Sequence, residues 1–411
     1  MRKNAIIVIS LAVLSFGLFG CPPKEGPGTS SSGAAASDIL IGEYGSMTGP
    51  QATFGLSTHN GIIMAADEIN AAGGINGRKI KIDSQDDQSK PEEAANVVTK
   101  LISQDNVVAV LGEVASSASI AAAPICQSNK VPMITPSSTN PRVTQMGDFI
   151  FRICFTDDYQ GGYQAVFADQ WCTTNSKPKS VAIITDVKSD YSRGLATVFT
   201  AKFTSLGGKI SGTQSYANGD SDFKSQLTAI KATNPSLLYV PGYYTDIGQI
   251  AIQAHDLGIT VPLLGGDGWE SPKLIEIGGK ALEGSFYTNH YFYGDSKPIV
   301  SNFVQKYKDR FGQTPDSLAA LGYDAMKTLA DAIKRAPKLD GPSLRDAIAQ
   351  TKGLVGVTGT INIGPDRNAM GKALVIEEIK NGQLTLKATI DPAKGGNVEM
   401  NNAPATTTGG K

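Results

Sequence analysis

From Asp38 onward, short apolar runs alternate with stretches whose apolar residues recur at helical spacing. That alternation is the strongest constraint on the fold, because strands interleaved with helices build a parallel sheet. Residues 39–42 form one apolar run, and residues 61–69 carry a helical face. The Gly73-Gly74 pair ends that helix, and residues 79–83 alternate as a strand. Pro91 opens the next helix, where no N–H donor is needed, and Ala94, Val97, Val98, Leu101 and Ile102 lie on its buried face. Residues 107–111 are apolar without a break, as expected of a strand covered on both faces. A helix over 117–128 and a strand over 131–134 follow. The same order restarts after residues 149–152, with strands at 181–184, 210–214, 237–240 and 261–264 separated by helical stretches. The pattern predicts two doubly wound α/β lobes of similar size. No low-complexity linker separates them, so the chain crosses between lobes through short connections. Helices near 298–311 and 316–335 come next, and residues 358–390 read as strands.

The first residues belong to a different kind of segment. Arg2 and Lys3 precede an apolar run from 5 to 19 that ends in Gly20-Cys21. A basic start, a short apolar stretch and a small residue before the cut describe a secretory signal over residues 1–20. The run falls short of the ~20 residues of a spanning helix. Residues 18–21, Leu-Phe-Gly-Cys, resemble a bacterial lipobox, which makes Cys21 the lipidated N-terminus; Phe19 departs from the small residue usual there. Residues 22–37 hold little to bury and read as a flexible tether. Cleavage takes Arg2 and Lys3 from 37 basic residues and leaves all 38 acidic ones, moving the formal charge from −1 to −3. Neither value gives the basic footprint that nucleic acid requires. Cys126, Cys154 and Cys172 then remain, so at most one internal disulfide can form. Cys126 sits on an apolar helical pattern and reads as a buried thiol, while a Cys154–Cys172 bridge depends on geometry.

Motifs for covalent chemistry are missing. The sequence has no GxGxxG, P-loop, GxSxG or CxxC, and His59, His255 and His290 lack metal-ligand spacing. Asp86-Asp87 follows a strand and reads as a turn or helix cap. Small hydroxyl residues instead gather at strand ends. Ala115-Ser116-Ser117-Ala118-Ser119 opens a helix, whose free N–H groups suit an anion. The loop 135–141, with Ser137, Ser138 and Thr139 between two prolines, follows the next strand. Tyr243, Tyr244, Asp267 and Trp269 follow strands of the second half. Ligands in open α/β sheets sit beyond the carboxyl ends of strands. One lobe thus suits an anion and the other a cation with an apolar body, which together describe a small zwitterion.

The chain resembles the type I periplasmic solute-binding proteins of the branched-chain amino-acid transporter class over residues 38–390, nearly all of the mature chain. The resemblance rests on Gly45-Ser46-Met47-Thr48-Gly49-Pro50, on residues 69–77 (Ile-Asn-Ala-Ala-Gly-Gly-Ile-Asn-Gly) and on Tyr323-Asp324-Ala325. It implies two lobes joined by a three-crossing hinge: residues 38–156 with 288–355 in the first, 157–287 with 356–392 in the second, and a frayed tail over 393–411. It implies that Ser116 and Thr139 receive a ligand carboxylate, with Ala115 beside them. The Ser137 carbonyl, Thr139 and the Asp267 carboxylate would take the ammonium. Tyr191 and Tyr243 would close over the ligand, with Trp269 nearby, and Phe54 and Leu318 would meet its side chain. The family commonly has Glu at the position of Asp267 and often an aromatic at that of Leu318. The family's first-lobe disulfide positions match Gln88 and Ala115, so that bridge is missing.

The expectation is an extracytoplasmic, lipid-anchored, monomeric receptor that hands a small apolar amino acid to the membrane permease of an ABC importer. It would be no enzyme, need no cofactor or metal, bind no nucleic acid, and meet the membrane through its lipid alone. An amide, urea or aromatic carboxylate on the same scaffold is the alternative ligand, and a ligand-sensing receptor the alternative role.

Overall fold

The computed structural model describes residues 37–401. The signal, Cys21 and most of the tether lie outside the described residues, as does the end of the tail from 402.

The first lobe is built on strands β1 (Ile39–Gly45), β2 (Ile80–Asp86), β3 (Val110–Leu111), β4 (Met133–Thr135) and β5 (Ile150–Arg152). They are all parallel, in the order β2-β1-β3-β4-β5. Helices α1 (Ala52–Ala71), α2 (Pro91–Ser103), α3 (Ser116–Asn129) and the short α4 (Arg142–Gln145) connect them. The central strands are buried throughout, which is why they read as unbroken apolar runs. α2 starts with Pro91, Glu92 and Glu93 and carries Lys100 in its last turn, so its charges complement the helix dipole.

The second lobe begins with α5 (Asp157–Thr174). β6 (Ser180–Asp186), α6 (Asp190–Ser205), β7 (Lys209–Tyr216), α7 (Lys224–Ala232), β8 (Leu237–Tyr239), α8 (Tyr244–Asp256) and β9 (Leu263–Gly265) follow. A single 3-10 turn (Asp267–Trp269), α9 (Pro272–Gly278) and β10 (Phe286–Asn289) complete this stretch. The chain then returns to the first lobe with α10 (Pro298–Phe311), α11 (Ser317–Arg335) and α12 (Gly341–Ala349), whose Leu321, Leu329 and Leu344 share a core with Ile39 and Ile41, followed by the hairpin β11 (Leu354–Gly356)–β12 (Gly359–Ile361). β13 (Leu374–Lys380), β14 (Gln383–Ile390) and β15 (Val398–Met400) end the described chain. The second sheet has the order β15-β14-β13-β10-β9-β8-β6-β7, parallel from β7 to β10 and antiparallel beyond.

Two expectations change here. Residues 356–372 belong with the first lobe, not the second. Ile361 and Ile363 are buried in one core with Ile39, Leu111 and Ile134. The backbone N–H groups of Val357 and Thr358 donate to the Asp324 carboxylate at 2.8 Å each. The third crossing therefore lies just before Leu374. Strand periodicity marks a strand but not the sheet that receives it. The tail expected to fray over 393–411 also contributes β15, an edge strand antiparallel to β14, where Val398 pairs with Ile390.

Cys126, Cys154 and Cys172 are buried free thiols, so Cys154 and Cys172 do not pair. Among the described residues no helix is long and apolar enough to cross a membrane, and no group of acidic, His or Cys residues could hold a metal ion.

α1 and α11 pack with almost no side chain between them. A Cβ at Gly61 would stand 2.0 Å from the Ala319 carbonyl oxygen, and one at Gly322 would stand 2.4 Å from that of Thr58. Only glycine permits that approach, and it sets Phe54 and Leu318, near the starts of the two helices, on one wall.

Candidate ligand site

In both sheets the strand order reverses at a switch point, between β1 and β3 in the first lobe and between β6 and β8 in the second. Crevices open there beyond the strand ends. The segments leaving β3, β4, β6, β8 and β9 meet in one small cavity lined by Phe54, Val114, Ser137, Thr139, Tyr191, Tyr243, Asp267, Gly268 and Leu318. It is nearly closed, with free space of about 10 Å³, room for about one water molecule.

Its polar groups are unevenly satisfied. The Ser137 hydroxyl is buried with no hydrogen-bond partner within the protein, and the Thr139 hydroxyl has only the Asp157 carboxyl beside it, out of good hydrogen-bond geometry. Leaving such groups unpaired costs about 1–3 kcal/mol each, so they are poised for something not of this chain. Asp267 is instead held firmly. Its Oδ1 accepts from Gln160 Nε2 at 2.9 Å and from the Tyr191 hydroxyl at 2.8 Å. Its Oδ2 lies 2.9 Å from His290 Nε2. Burial pulls the His290 pKa down despite Asp267, which favours a neutral ring donating through Nε2. His290 Nδ1 then has no partner, and the ring stacks on Phe155 at 3.9 Å. Burial, with the Asp267 charge adding to it, pushes the Tyr191 hydroxyl well above its ordinary value, so it stays protonated and donates. Three donors use three of the carboxylate's roughly four lone-pair directions, and one remains for a ligand.

The loop that presents Ser137 and Thr139 is fixed from behind. The Arg152 guanidinium donates to the carbonyls of Ser138 at 2.6 Å and Asn140 at 2.9 Å. The Asp157 N–H donates to the Thr139 carbonyl at 2.9 Å. Burial raises the Asp157 carboxyl far above the usual range, with the Asp267 charge acting in the same direction. On the apolar side, Tyr243 stacks on Tyr191 at 5.3 Å and meets Phe54 edge-on at 5.6 Å. Tyr244 reaches the other side of Phe54 at 5.2 Å.

Seven of the residues expected at the site line the cavity: Phe54, Ser137, Thr139, Tyr191, Tyr243, Asp267 and Leu318. Three do not. Trp269 turns into the second-lobe core, where its indole N–H donates to the Val240 carbonyl at 3.0 Å. The Ala115 N–H is taken by the Glu113 carboxylate. The Ser116 hydroxyl accepts from the Asn140 N–H at 3.2 Å, which leaves its own proton to donate. Asp86 acts as a turn clip, accepting from Met47 N, Thr48 N and the Thr48 hydroxyl, which explains the Met47-Thr48 pair in the early motif. Sequence reasoning missed Val114, Gly268, Gln160 and His290. His290 lies 23 positions beyond Asp267, and only the pairing of β10 with β9 brings the two together.

A family model described as periplasmic binding protein matches residues 38–383. An amino acid binding protein of Pseudomonas aeruginosa is 33% identical over 308 residues, covering 74% of this chain and 80% of the relative. The crystal structure of a leucine binding protein, LivK, from Thermotoga maritima superposes with a TM-score of 0.82 at 41% identity, covering 87% of this chain and 99% of that one. The branched-chain amino acid transporter substrate binding protein LivJ of Streptococcus pneumoniae, in complex with isoleucine, gives 0.80 at 31% identity, covering 86% and 100%. With two α/β lobes, a cleft at their switch points and a match spanning most of its length, the chain belongs to the periplasmic binding protein family.

Proposed function

We propose that the protein is an extracytoplasmic receptor for an ABC importer, anchored through a lipid on Cys21, that binds a small apolar amino acid between its lobes. The observation that carries this reading is a single cavity holding the buried Ser137 and Thr139 hydroxyls, the first without a partner and the second beside the Asp157 carboxyl alone, together with Asp267. An α-amino acid supplies the missing partners: its ammonium takes the free Asp267 lone pair and the Thr139 oxygen, and its carboxylate takes hydroxyl protons and the N–H groups at the start of α3. Phe54, Val114, Leu318 and Tyr243 supply an apolar wall for an aliphatic side chain. The relatives named for amino acid, leucine and isoleucine binding support the same ligand class. Binding closes the lobes about their three crossings, and the closed form docks on the permease. That the relatives are binding proteins supports release of the ligand unchanged. Calorimetry of the full chain against the twenty amino acids tests the reading. Micromolar or tighter binding of leucine, isoleucine or valine is expected, about −8 kcal/mol or better. Absence of heat for every amino acid refutes it.

A further inference from the structure

Glu270 directly follows the turn that carries Asp267. It is buried, as is Glu377 on β13. Asn289 Nδ2 donates to Glu270 Oε2 and, at 3.1 Å, to Glu377 Oε2 as well. One amide group thus lies between two buried carboxylates. The Tyr287 hydroxyl also donates to Glu270 Oε2, at 2.9 Å. All four residues belong to the second lobe. The cover comes from the first lobe, where the Ser317 N–H at the start of α11 points to Glu270 Oε1 at 3.3 Å. Beside it, Asp316 caps α11 by accepting from the Ala319 N–H at 2.9 Å. The adjacent Ser271 hydroxyl meets Thr53 of α1 at 3.0 Å. Among the described residues, none of the three carboxylates has a Lys, Arg or His partner within 4 Å.

Two carboxylates this close, dry and without a cation cannot both stay ionised. Parting the lobes removes the α11 cover and lets water reach Glu270. We propose that Glu270 is a positioning residue that seats the Asp267 turn on the start of α11, and that lobe closure over the ligand takes up one proton into the Glu270–Glu377 pair.

The surroundings agree in sign. Burial, then the charges of Glu377 and Asp316, push Glu270 well above the usual carboxylate range. Burial carries Glu377 to about 7, against its hydrogen bonds from Tyr287 and Asn289. The other titratable groups that feel the pair are Tyr287, Tyr291 and Tyr293, all raised by burial and so protonated near neutrality, and Asp316. A group whose pKa is higher in the closed form favours closure below its open-state value and loses that contribution as pH rises through its closed-state value. Affinity therefore falls as pH rises from about 4.5 to 7, by roughly threefold to tenfold per pH unit.

The inference rests on the amino-acid reading, and the test separates the two. L-leucine is titrated into the full chain by calorimetry from pH 5 to 8, in buffers of different ionisation enthalpy. Wild type is expected to take up close to one proton per leucine near pH 6.5, and Glu270→Gln and Glu377→Gln close to none. No uptake in wild type, or uptake in the two variants equal to that of wild type, overturns the proposal. If leucine gives no heat, isoleucine and valine take its place; if no amino acid gives heat, the functional reading fails, and thermal unfolding across the same pH range decides the inference. Wild type should then lose stability with rising pH more steeply than Glu270→Gln, and parallel curves would overturn it.

Discussion

Asp267→Asn isolates the charge that the cavity offers to a ligand. The native carboxylate already accepts from Gln160, Tyr191 and His290. Asn is nearly isosteric, and its new N–H₂ needs an acceptor where three donors converge. His290 can supply one, because its unpartnered Nδ1 allows the ring to switch tautomer and turn Nε2 into an acceptor. The fold should therefore survive the change. The ligand has no such escape. Its ammonium loses a charge-assisted bond and stays buried without a counter-charge, which costs about 3–5 kcal/mol. At 1.4 kcal/mol per decade that is a loss of roughly 150- to 5,000-fold, taking a micromolar binder toward millimolar. Calorimetry with L-leucine, alongside a thermal melt to confirm folding, measures it. A folded Asp267→Asn protein that binds leucine within about threefold of wild type would refute the assignment of Asp267 to the ammonium.

Thr139→Val removes a hydroxyl whose one protein neighbour of this kind is the Asp157 carboxyl, so the melt should move little while leucine affinity drops about 10- to 150-fold, the worth of one bond to a charged group. An unchanged affinity would show that the Thr139 hydroxyl does not meet the ligand. Gly322→Ala drives a methyl against the Thr58 carbonyl and should cost about 1–3 kcal/mol of stability, read from urea unfolding. His59 donates to the buried Glu43 at 2.8 Å, and that bond raises its pKa above the ordinary 6.5. The pair's contribution is thus full below about pH 6.5 and is lost as pH rises through the folded value. His59→Asn should flatten that part of the stability–pH curve, and an unaltered curve would count against the pair.

The lobes were legible because each buried strand is a run such as 107–111 or 237–240, bounded by helical spacing of a different period. The site was legible where its residues directly follow those runs, as Ser137, Thr139, Tyr243 and Asp267 do. What escaped depends on three-dimensional neighbours. Whether Ile361 and Ile363 enter the first or second core is a question of sheet order, which periodicity does not encode. His290 and Gln160 reach Asp267 from β10 and α5, and no spacing links them. Trp269 followed the right strand but turned inward, because its indole N–H found the Val240 carbonyl in the core. Val398 and its neighbours looked too polar for a strand, yet an edge position needs only one paired side.

The bare contact of α1 with α11 bears on how such a receptor can change its diet. With carbonyls pressed against Gly61 and Gly322, the two helices behave as one beam that neither slides nor spreads. Phe54 and Leu318 are mounted near the same end of that beam, so their backbones keep a constant separation whatever fills the gap. A larger or smaller cargo cannot be admitted by flexing this wall. It requires exchanging the side chains themselves, which makes positions 54 and 318 the natural dials for retuning selectivity while the rest of the molecule stays as it is.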